Sequence, residues 1–192
     1  MTMPGAKRIT LEEFEALPEG PPYYEFEEGE VILAASPTPE HQDIIIELAY
    51  ALRQFVRQHQ MGRVFMDVDV YLPDGRVYVP DLSFLSAEHL HLLSPTDRKI
   101  HGSPDLVVEV TSSVPGRDRV HKFRVYHDNA VMWYWIIDSE ALTIEEYHLT
   151  PQGYLRTTSV AAGEEFHPQL FAGFALNLTA LLGVTPPPST PA

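Results

Sequence analysis

The sequence predicts an α/β protein with a central mixed β-sheet flanked by helices. Apolar residues recur at helical spacing over residues 39–60, and at every second residue on both sides of a turn at 73–75. Farther along, two apolar strands, 106–110 and 132–138, enclose a helical segment at 117–129. Such a crossover is right-handed and makes its two strands parallel. The predicted core order is therefore helix, strand, strand, strand, helix, strand (αβββαβ).

Extra elements are predicted before this core. A short helix covers residues 11–19, and an N-terminal hairpin joins 23–26 to 30–34. Thr38 can then cap the first core helix, and Pro39 suits its first helical position.

The first two core strands, 64–72 and 77–85, are predicted to form one hairpin. Alternation assigns to one face of the first strand Val64, Met66, Val68, Val70 and Leu72. The other face receives Phe65, Asp67, Asp69 and Tyr71. The polar residues 86–103 predict a loop with at most one helical turn.

A C-terminal hairpin is predicted after the core, over residues 142–148 and 153–160, and residues 170–183 should return apolar side chains to the body. These elements make a single domain over residues 1–183. The proline-rich stretch 184–192 is predicted to be an unstructured tail.

The composition limits the classes of function. The 192 residues include 13 lysines and arginines against 27 aspartates and glutamates, a net charge of −14. Broad attraction to nucleic acid or an anionic membrane is therefore disfavoured, although a local basic patch is compatible with it. Without cysteine, disulfides and thiolate metal sites are excluded. No apolar run suits a membrane span or a signal peptide, so we expect a cytoplasmic protein with no membrane partner.

Two acids stand in strands that should be buried. Asp81 follows Pro80 in the core hairpin, and Glu109 interrupts the apolar strand 106–110. Neighbouring buried carboxylates repel each other unless they are protonated, paired or bound to a cation. Oxygen ligands without cysteine favour a hard ion, Mg²⁺ or Mn²⁺. The alternative is structural, with an arginine partner for Asp81 and a protonated or paired Glu109.

Basic residues gather on the next helix, close to these acids. The segment 117–124 holds four of the 13 lysines and arginines, including Lys122. It is either a phosphate-binding patch or a solvated helix face. Lys122 either lies near the carboxylates or forms an ordinary helical ion pair with Asp118, four residues earlier. His41, on the buried face of the first core helix, is either a core-edge residue or a base or ligand.

Short motifs follow one another along the chain. Those up to the strand with Glu109 are Tyr24-Glu25, Gly29-Glu30, Ser36-Pro37, His41-Gln42, Pro80-Asp81 and the run from Pro104 to Val110. Those after it are the run from Asp118 to Lys122, Tyr126, Tyr134-Trp135, Asp138 and the run from Phe171 to Phe174. Over residues 20–180 their order and spacing resemble the Uma-two family, small bacterial proteins placed in the PD-(D/E)XK nuclease superfamily.

The resemblance implies a restriction-endonuclease-like fold and a set of site residues. It implies metal ligands at Asp81, Glu109 and the carbonyl of Val110. It also implies a catalytic lysine role for Lys122, because Thr111 stands where the lysine of the superfamily usually lies. The remaining candidates are His41, which we count as catalytic, and, at the edge of the site, Glu25, Asp105, Thr111 and Tyr126. A second departure from the family is Ala130-Val131, where glycine-valine is usual.

The predicted function is a Mg²⁺- or Mn²⁺-dependent nuclease that hydrolyses phosphodiester bonds in DNA, with RNA as the less favoured substrate. The sequence lacks the glycine-rich phosphate loops, serine-nucleophile elbow and paired-histidine zinc helix of other enzyme classes. The alternative is a catalytically inactive nuclease-fold module with a nucleic-acid-binding, regulatory or oligomeric role, which Thr111 and the net charge favour. By analogy, a homodimer or higher homo-oligomer would help to grip a duplex.

Overall fold

The computed structural model describes residues 8–34, 36–111 and 118–185. Its helices are α1 (Leu11–Glu15), α2 (Pro39–Gln58), α3 (Phe123–Asp128) and α4 (Leu178–Leu182), with a 3₁₀ turn at Leu90–Leu92 and a π-helical turn at Asp118–Lys122. Its strands are β1 (Tyr24–Glu27), β2 (Glu30–Leu33), β3 (Gly62–Met66), β4 (Val70–Tyr71), β5 (Val77–Tyr78), β6 (Leu82–Ser86), β7 (Ile100–His101), β8 (Leu106–Thr111), β9 (Trp133–Asp138), β10 (Thr143–Thr150) and β11 (Gly153–Val160). Within these described residues, no helix has the length and apolar character needed to cross a membrane.

The strands form two mixed sheets. In the six-stranded sheet, ordered β11-β10-β9-β8-β6-β3, β8 and β9 are parallel and the other neighbours are antiparallel. The five-stranded sheet, ordered β2-β1-β5-β4-β7, has one parallel pair, β4 and β7. The predicted α/β class and αβββαβ core are confirmed as α2, β3, β6, β8, α3 and β9, and the two hairpins flank that core.

Helix α2 covers one face of the six-stranded sheet. The Thr38 side chain accepts a hydrogen bond from the N–H of His41, and Pro39 occupies the first turn, as predicted. Its buried side chains repeat at helical spacing and are Ile44, Ile45, Leu48, Ala49, Leu52 and Val56. They pack against Val108 and Val110 of β8 in one core cluster. The opposite face of β8 presents Val107 to a second cluster with α3.

The core hairpin is divided between the two sheets, which corrects the prediction of one continuous pair. Strand β3 pairs with β6 in the six-stranded sheet, whereas β4 pairs with β5 in the five-stranded sheet. The break lies at Asp67, whose φ of 49° is left-handed and interrupts the alternation. Val64 consequently packs with α2, while Val70 packs with α3, so the prediction that they share one face was wrong.

Several predicted boundaries also shift. Helix α1 ends at Glu15, and the predicted loop 86–103 contains strand β7, which pairs with β4 and buries Ile100 completely. The second core helix is a π-helical turn followed by α3, and its predicted start at residue 117 lies outside the described residues. The short, mostly polar surroundings of Ile100 carried no periodic signal that would have predicted a strand.

The predicted C-terminal hairpin and the apolar segment 170–183 agree with the structure. Strands β10 and β11 form the C-terminal hairpin. Within residues 170–183, Phe171, Phe174 and Leu176 are buried, and Leu176 forms a bridge with Phe166. Val184 and Thr185 are the described start of the predicted tail, and residues 186–192 lie outside the described part.

Helix α3 ends in a cap that explains why glycine is usual where this chain has Ala130. Ala130 has a φ of 57°, and its N–H donates to the carbonyl of His127. The N–H of Val131 donates to the carbonyl of Tyr126. This pair of bonds is a Schellman motif, in which the left-handed position favours glycine. The Cβ of alanine makes this left-handed conformation less favourable than it is for glycine, which has no Cβ.

We therefore expect Ala130→Gly to raise the free energy of unfolding by about 0.5–1 kcal/mol, because relief of the left-handed strain exceeds the added chain entropy. Urea denaturation measures this change. Ala16→Gly is the matched control, since Ala16 is exposed at the end of α1 with a right-handed φ of −82°. That variant should be destabilised, and equal effects of both would contradict the explanation.

Candidate active site

Asp81 lies where the chain passes from the five-stranded to the six-stranded sheet, between β5 and β6. The pairing of β6 with β8 begins at Leu82, opposite Val108. The N–H of Val110 therefore lies beyond this ladder, and it donates to Oδ2 of Asp81 at 2.7 Å. The carboxylate thus takes the place of a strand partner and is held against the end of the strand that carries Glu109.

Glu109 points from β8 towards the crossover helix and is 5% exposed. The Tyr126 hydroxyl donates to its Oε1 at 2.6 Å. Lys122 Nζ donates to Oε1 at 3.1 Å and to Oε2 at 3.2 Å. The structure therefore brings Lys122 and Tyr126 together with Glu109, as expected for residues in the first turns after that strand.

Lys122 also contacts a second acid. Its Nζ lies 2.9 Å from Oε1 of Glu25, which comes from β1 in the N-terminal hairpin. The ammonium lies 5.5 Å from the centre of the Tyr78 ring. Lys122 is 6% exposed and Glu25 is 3% exposed. One buried cation thus bridges two buried carboxylates from different sheets.

This burial shows that the basic residues of segment 117–124 do not all lie on one exposed face. Lys122 turns inwards, whereas Arg124 on α3 is exposed. His121 pairs with Glu27 of β1. The alternative prediction for Lys122 was a helical ion pair with Asp118. The side chain of Asp118, like residue 117, lies outside the described part of the chain.

His41 lies on the other side of Asp81. Its Nε2 is 3.3 Å from Oδ2 of Asp81, and its Nδ1 is buried with no hydrogen-bond partner among the described residues. Burial lowers the pKa of His41, but hydrogen bonds with Asp81 and the Val110 backbone, together with the charges of Asp81 and Glu109, outweigh it. The net effect is a raised pKa, which favours the charged imidazolium.

Burial and several nearby charges act together on the pKa of Glu109. Burial raises its pKa, the Lys122 ammonium opposes that shift, and the charges of Asp81 and Glu25 add to it. The net result is a pKa above the ordinary glutamate range. Burial is the largest of these effects, and a bound cation would lower the pKa of Glu109 as Lys122 does.

Asp67 is a neighbour that the sequence analysis did not select. Burial raises the pKa of its carboxyl, and the charge of Asp81 raises it further, while His41 acts in the opposite direction. Asp67 therefore lies within electrostatic reach of the Asp81–His41 pair, on the strand break that separates β3 from β4. The only sequence signal was an acid within an alternating strand, which the predicted continuous hairpin placed on one face with Phe65, Asp69 and Tyr71.

Two predicted edge residues lie elsewhere. Asp105 is four residues before Glu109, about 13 Å along the strand, and accepts from the Ser86 N–H at 2.7 Å while its Oδ1 lies 2.7 Å from His89. Thr111 is buried, and its hydroxyl donates to the carbonyl of Ile137 on β9. Its side chain therefore bonds to the sheet backbone and does not extend to the carboxylates.

The donors available to the predicted metal are carboxylate and carbonyl oxygens. Within the described residues, no three histidine, cysteine, aspartate or glutamate side chains are arranged as a metal site. Asp81 binds the N–H of Val110, one residue after Glu109, and its charge reaches the Glu109 carboxyl. The Val110 carbonyl points to the same side as its N–H, towards Asp81, because both groups of a strand residue face one neighbour. Two carboxylates and a carbonyl fit a hard cation that keeps several waters as further ligands.

Comparisons with known proteins agree with this architecture. A solved structure of similar fold is the crystal structure of a putative nuclease belonging to DUF820 from Anabaena variabilis ATCC 29413, with a TM-score of 0.72 and 23% identity over 91% of this chain and 98% of the other. No curated protein sequence matches the chain. The family model of Uma2, described as putative restriction endonuclease, matches residues 11–179. Since that match spans most of the sequence, the chain belongs to the Uma2 family.

Proposed function

We propose that this protein is a metal-dependent nuclease that hydrolyses phosphodiester bonds in DNA. The observation that carries the proposal is that Asp81 binds the backbone of Val110 directly beside Glu109, while Lys122 bonds to Glu109 from the crossover. Membership of a family whose description is putative restriction endonuclease supports the nuclease class. The metal and the DNA substrate are the finer part of the proposal.

Asp81, Glu109 and the carbonyl of Val110 would hold a Mg²⁺ or Mn²⁺ ion. Such an ion, when bound, lowers the pKa of a coordinated water and stabilises charge on the phosphate. The protein's contribution is to orient the carboxylates before substrate binds. The Val110 N–H orients Asp81, and Tyr126 and Lys122 orient Glu109.

Two cationic side chains border these carboxylates. Lys122 places an ammonium beside Glu109, where it would offset negative charge on the phosphate or the attacking water. His41 favours the charged imidazolium, because Asp81 and Glu109 raise its pKa despite burial. In this proposal His41 supports charge near the phosphate.

A non-catalytic nuclease-fold module is the second candidate. The observation that favours it is that Lys122 already bonds two buried carboxylates, which a purely structural ion cluster would also require. Thr111, in place of the usual lysine, and the net charge of −14 point in the same direction. In that case the site would have no catalytic activity, and the protein would act by binding nucleic acid, by regulation or by oligomerisation.

The first test is DNA cleavage. We expect wild-type protein to cleave DNA with Mg²⁺ or Mn²⁺, and Asp81→Asn and Glu109→Gln each to lower the rate at least about 100-fold, the scale of losing one group that stabilises reacting charge. Gel assays on single-stranded DNA, double-stranded DNA and RNA, with identically purified proteins, measure this. Asp105→Asn is the matched control, because it removes a carboxylate from the same strand at the opposite end.

Equal cleavage by wild type and the site variants would identify a contaminating nuclease and contradict the proposal. Absence of cleavage by folded, metal-bound wild type on all three substrates would favour the non-catalytic module. Cleavage of RNA alone would retain the nuclease and overturn the DNA assignment.

Metal binding has a readout that does not depend on cleavage. A cation that binds only the folded state stabilises it, by about 2.7 kcal/mol at one hundred times its dissociation constant. We expect Mg²⁺ or Mn²⁺ to raise the melting temperature of wild type and of Asp105→Asn, but not of Asp81→Asn. Differential scanning calorimetry measures these shifts. An unchanged metal response in Asp81→Asn would place the cation elsewhere.

The buried ion cluster predicts a specific stability pattern. Lys122→Met leaves Glu25 and Glu109 without their shared cation, and we expect a loss of about 3–5 kcal/mol in unfolding free energy at neutral pH. Adding Glu25→Gln should recover part of this loss, because one buried acid then no longer needs a partner. Urea denaturation of wild type, both single variants and the double variant measures the coupling.

Lys99→Met is the matched control, because Lys99 pairs at 2.9 Å with Asp69, whose side chain is 28% exposed and retains solvent. Its loss should be smaller. Additive effects of Lys122→Met and Glu25→Gln would contradict direct pairing in the cluster.

A further inference from the structure

The outward face of α2 carries a stripe that packs against nothing described in this chain. Ile46 is 53% exposed and Tyr50 is 62% exposed, although both are large and mainly apolar. They belong to a row of exposed residues at alternating spacings of three and four, namely Asp43, Ile46, Tyr50, Arg53 and Arg57. Residues at this spacing occupy one narrow side of a helix, as in the seam of a coiled coil.

The stripe is flanked by two grooves of opposite charge. The groove beside the N-terminal half has a volume of about 560 Å³, and all charged residues among its described lining are acidic: Glu40, Asp43, Glu47 and Glu140. Leu142, Leu181, Leu182 and Val184 supply apolar lining there. The groove beside the C-terminal half has a volume of about 700 Å³ and is lined by Arg53 and Arg57 together with Ile46, Ala49, Tyr50 and Met66.

This arrangement is complementary to itself. Asp43 and Arg57 each lie seven residues from Tyr50, on opposite sides of it. If a second α2 packs antiparallel about a two-fold axis at Tyr50, Asp43 of each copy faces Arg57 of the other. Ile46 of each copy then faces the stem of Arg53. The acidic groove of one copy receives the basic half of the other, and the apolar centre is covered.

We propose that the outward face of α2 is a homodimer interface, in which two copies of this chain pack their α2 helices antiparallel with Tyr50 at the centre. A two-fold interface uses the same patch on both subunits, so a patch that is acidic at one end and basic at the other satisfies itself. A nucleic acid fits this face less well, because the carboxylates of the acidic half repel phosphate. The inference does not depend on the nuclease proposal.

The size of the face sets the expected strength. A helix of 20 residues, the length of α2, is about 30 Å long and about 10 Å wide. The helix strip alone is therefore smaller than the roughly 800 Å² that each partner contributes to a standard interface. The two grooves must supply the remaining contact area. We expect a reversible dimer that dissociates in the micromolar concentration range.

Sedimentation equilibrium of the full chain measures the assembly. Wild type should approach twice the mass of 21.7 kDa as concentration rises. Asp43→Arg places arginine against arginine, and Arg57→Asp places aspartate against aspartate. Each variant should weaken the dimer at least about tenfold, since like charges in an interface repel. Arg124→Asp, an exposed arginine on α3, is the control and should leave the dimer unchanged.

The antiparallel arrangement makes a sharper prediction for mixtures. When Asp43→Arg and Arg57→Asp proteins are combined, both contacts become arginine facing aspartate, so the mixture should form a heterodimer although each protein alone is mostly monomeric. The double variant Asp43→Arg/Arg57→Asp should also regain the dimer. Far-UV circular dichroism and melting curves establish that each variant is folded.

The proposal is overturned if wild type stays monomeric at every concentration, which would assign the face to a different partner or to the residues after Thr185. It is also overturned if both single variants dimerise like wild type, or if folded variants fail to associate when mixed.

Discussion

The interaction on which the candidate site depends is the burial of one lysine between two glutamates. Lys122 reaches Glu109 on the six-stranded sheet and Glu25 on the five-stranded sheet, with all three side chains nearly excluded from solvent. Burial of a single charge costs several kcal/mol, so removal of Lys122 leaves both glutamates poorly compensated. The cluster therefore joins the N-terminal hairpin, the central strand and the crossover helix, and it holds the site in one geometry.

The division of the core hairpin between two sheets also shapes the candidate site, because it positions Asp81. The left-handed residue Asp67 ends β3, and the chain leaves the six-stranded sheet before it returns at β6. That return places Asp81 one residue before β6, next to the end of β8 that pairs with β9 but not with β6. A continuous hairpin would have used the Val110 N–H for a strand partner. The interruption of regular pairing thus makes the backbone of Val110 accessible to Asp81 and His41.

Much of the architecture follows from local patterns. The capping by Thr38 and the apolar period that follows it predicted α2 within two residues of its observed end, and the two apolar strands predicted the parallel pair β8 and β9. Within the site, Asp81 and Glu109 could be selected because an acid within an apolar strand needs a partner. Lys122 could be placed near them because its helix starts where the strand ends. Glu25 entered only through a family resemblance, since nothing local distinguishes it from other acids.

The sequence by itself determined the order and type of the core elements, because hydrophobic periodicity and caps act over a few residues. It also indicated that Glu109 is buried, whereas Asp81 proved only partly buried and the burial of Glu145 and Glu146 was not predicted. Only the tertiary structure decided that Lys122 turns inwards to two acids, that Asp67 lies within electrostatic reach of Asp81, and that Asp105 bonds to Ser86 just before β8. These are contacts between residues far apart in the chain, and they depend on where the two sheets meet. No local propensity encodes that meeting, because it results from packing of the whole fold.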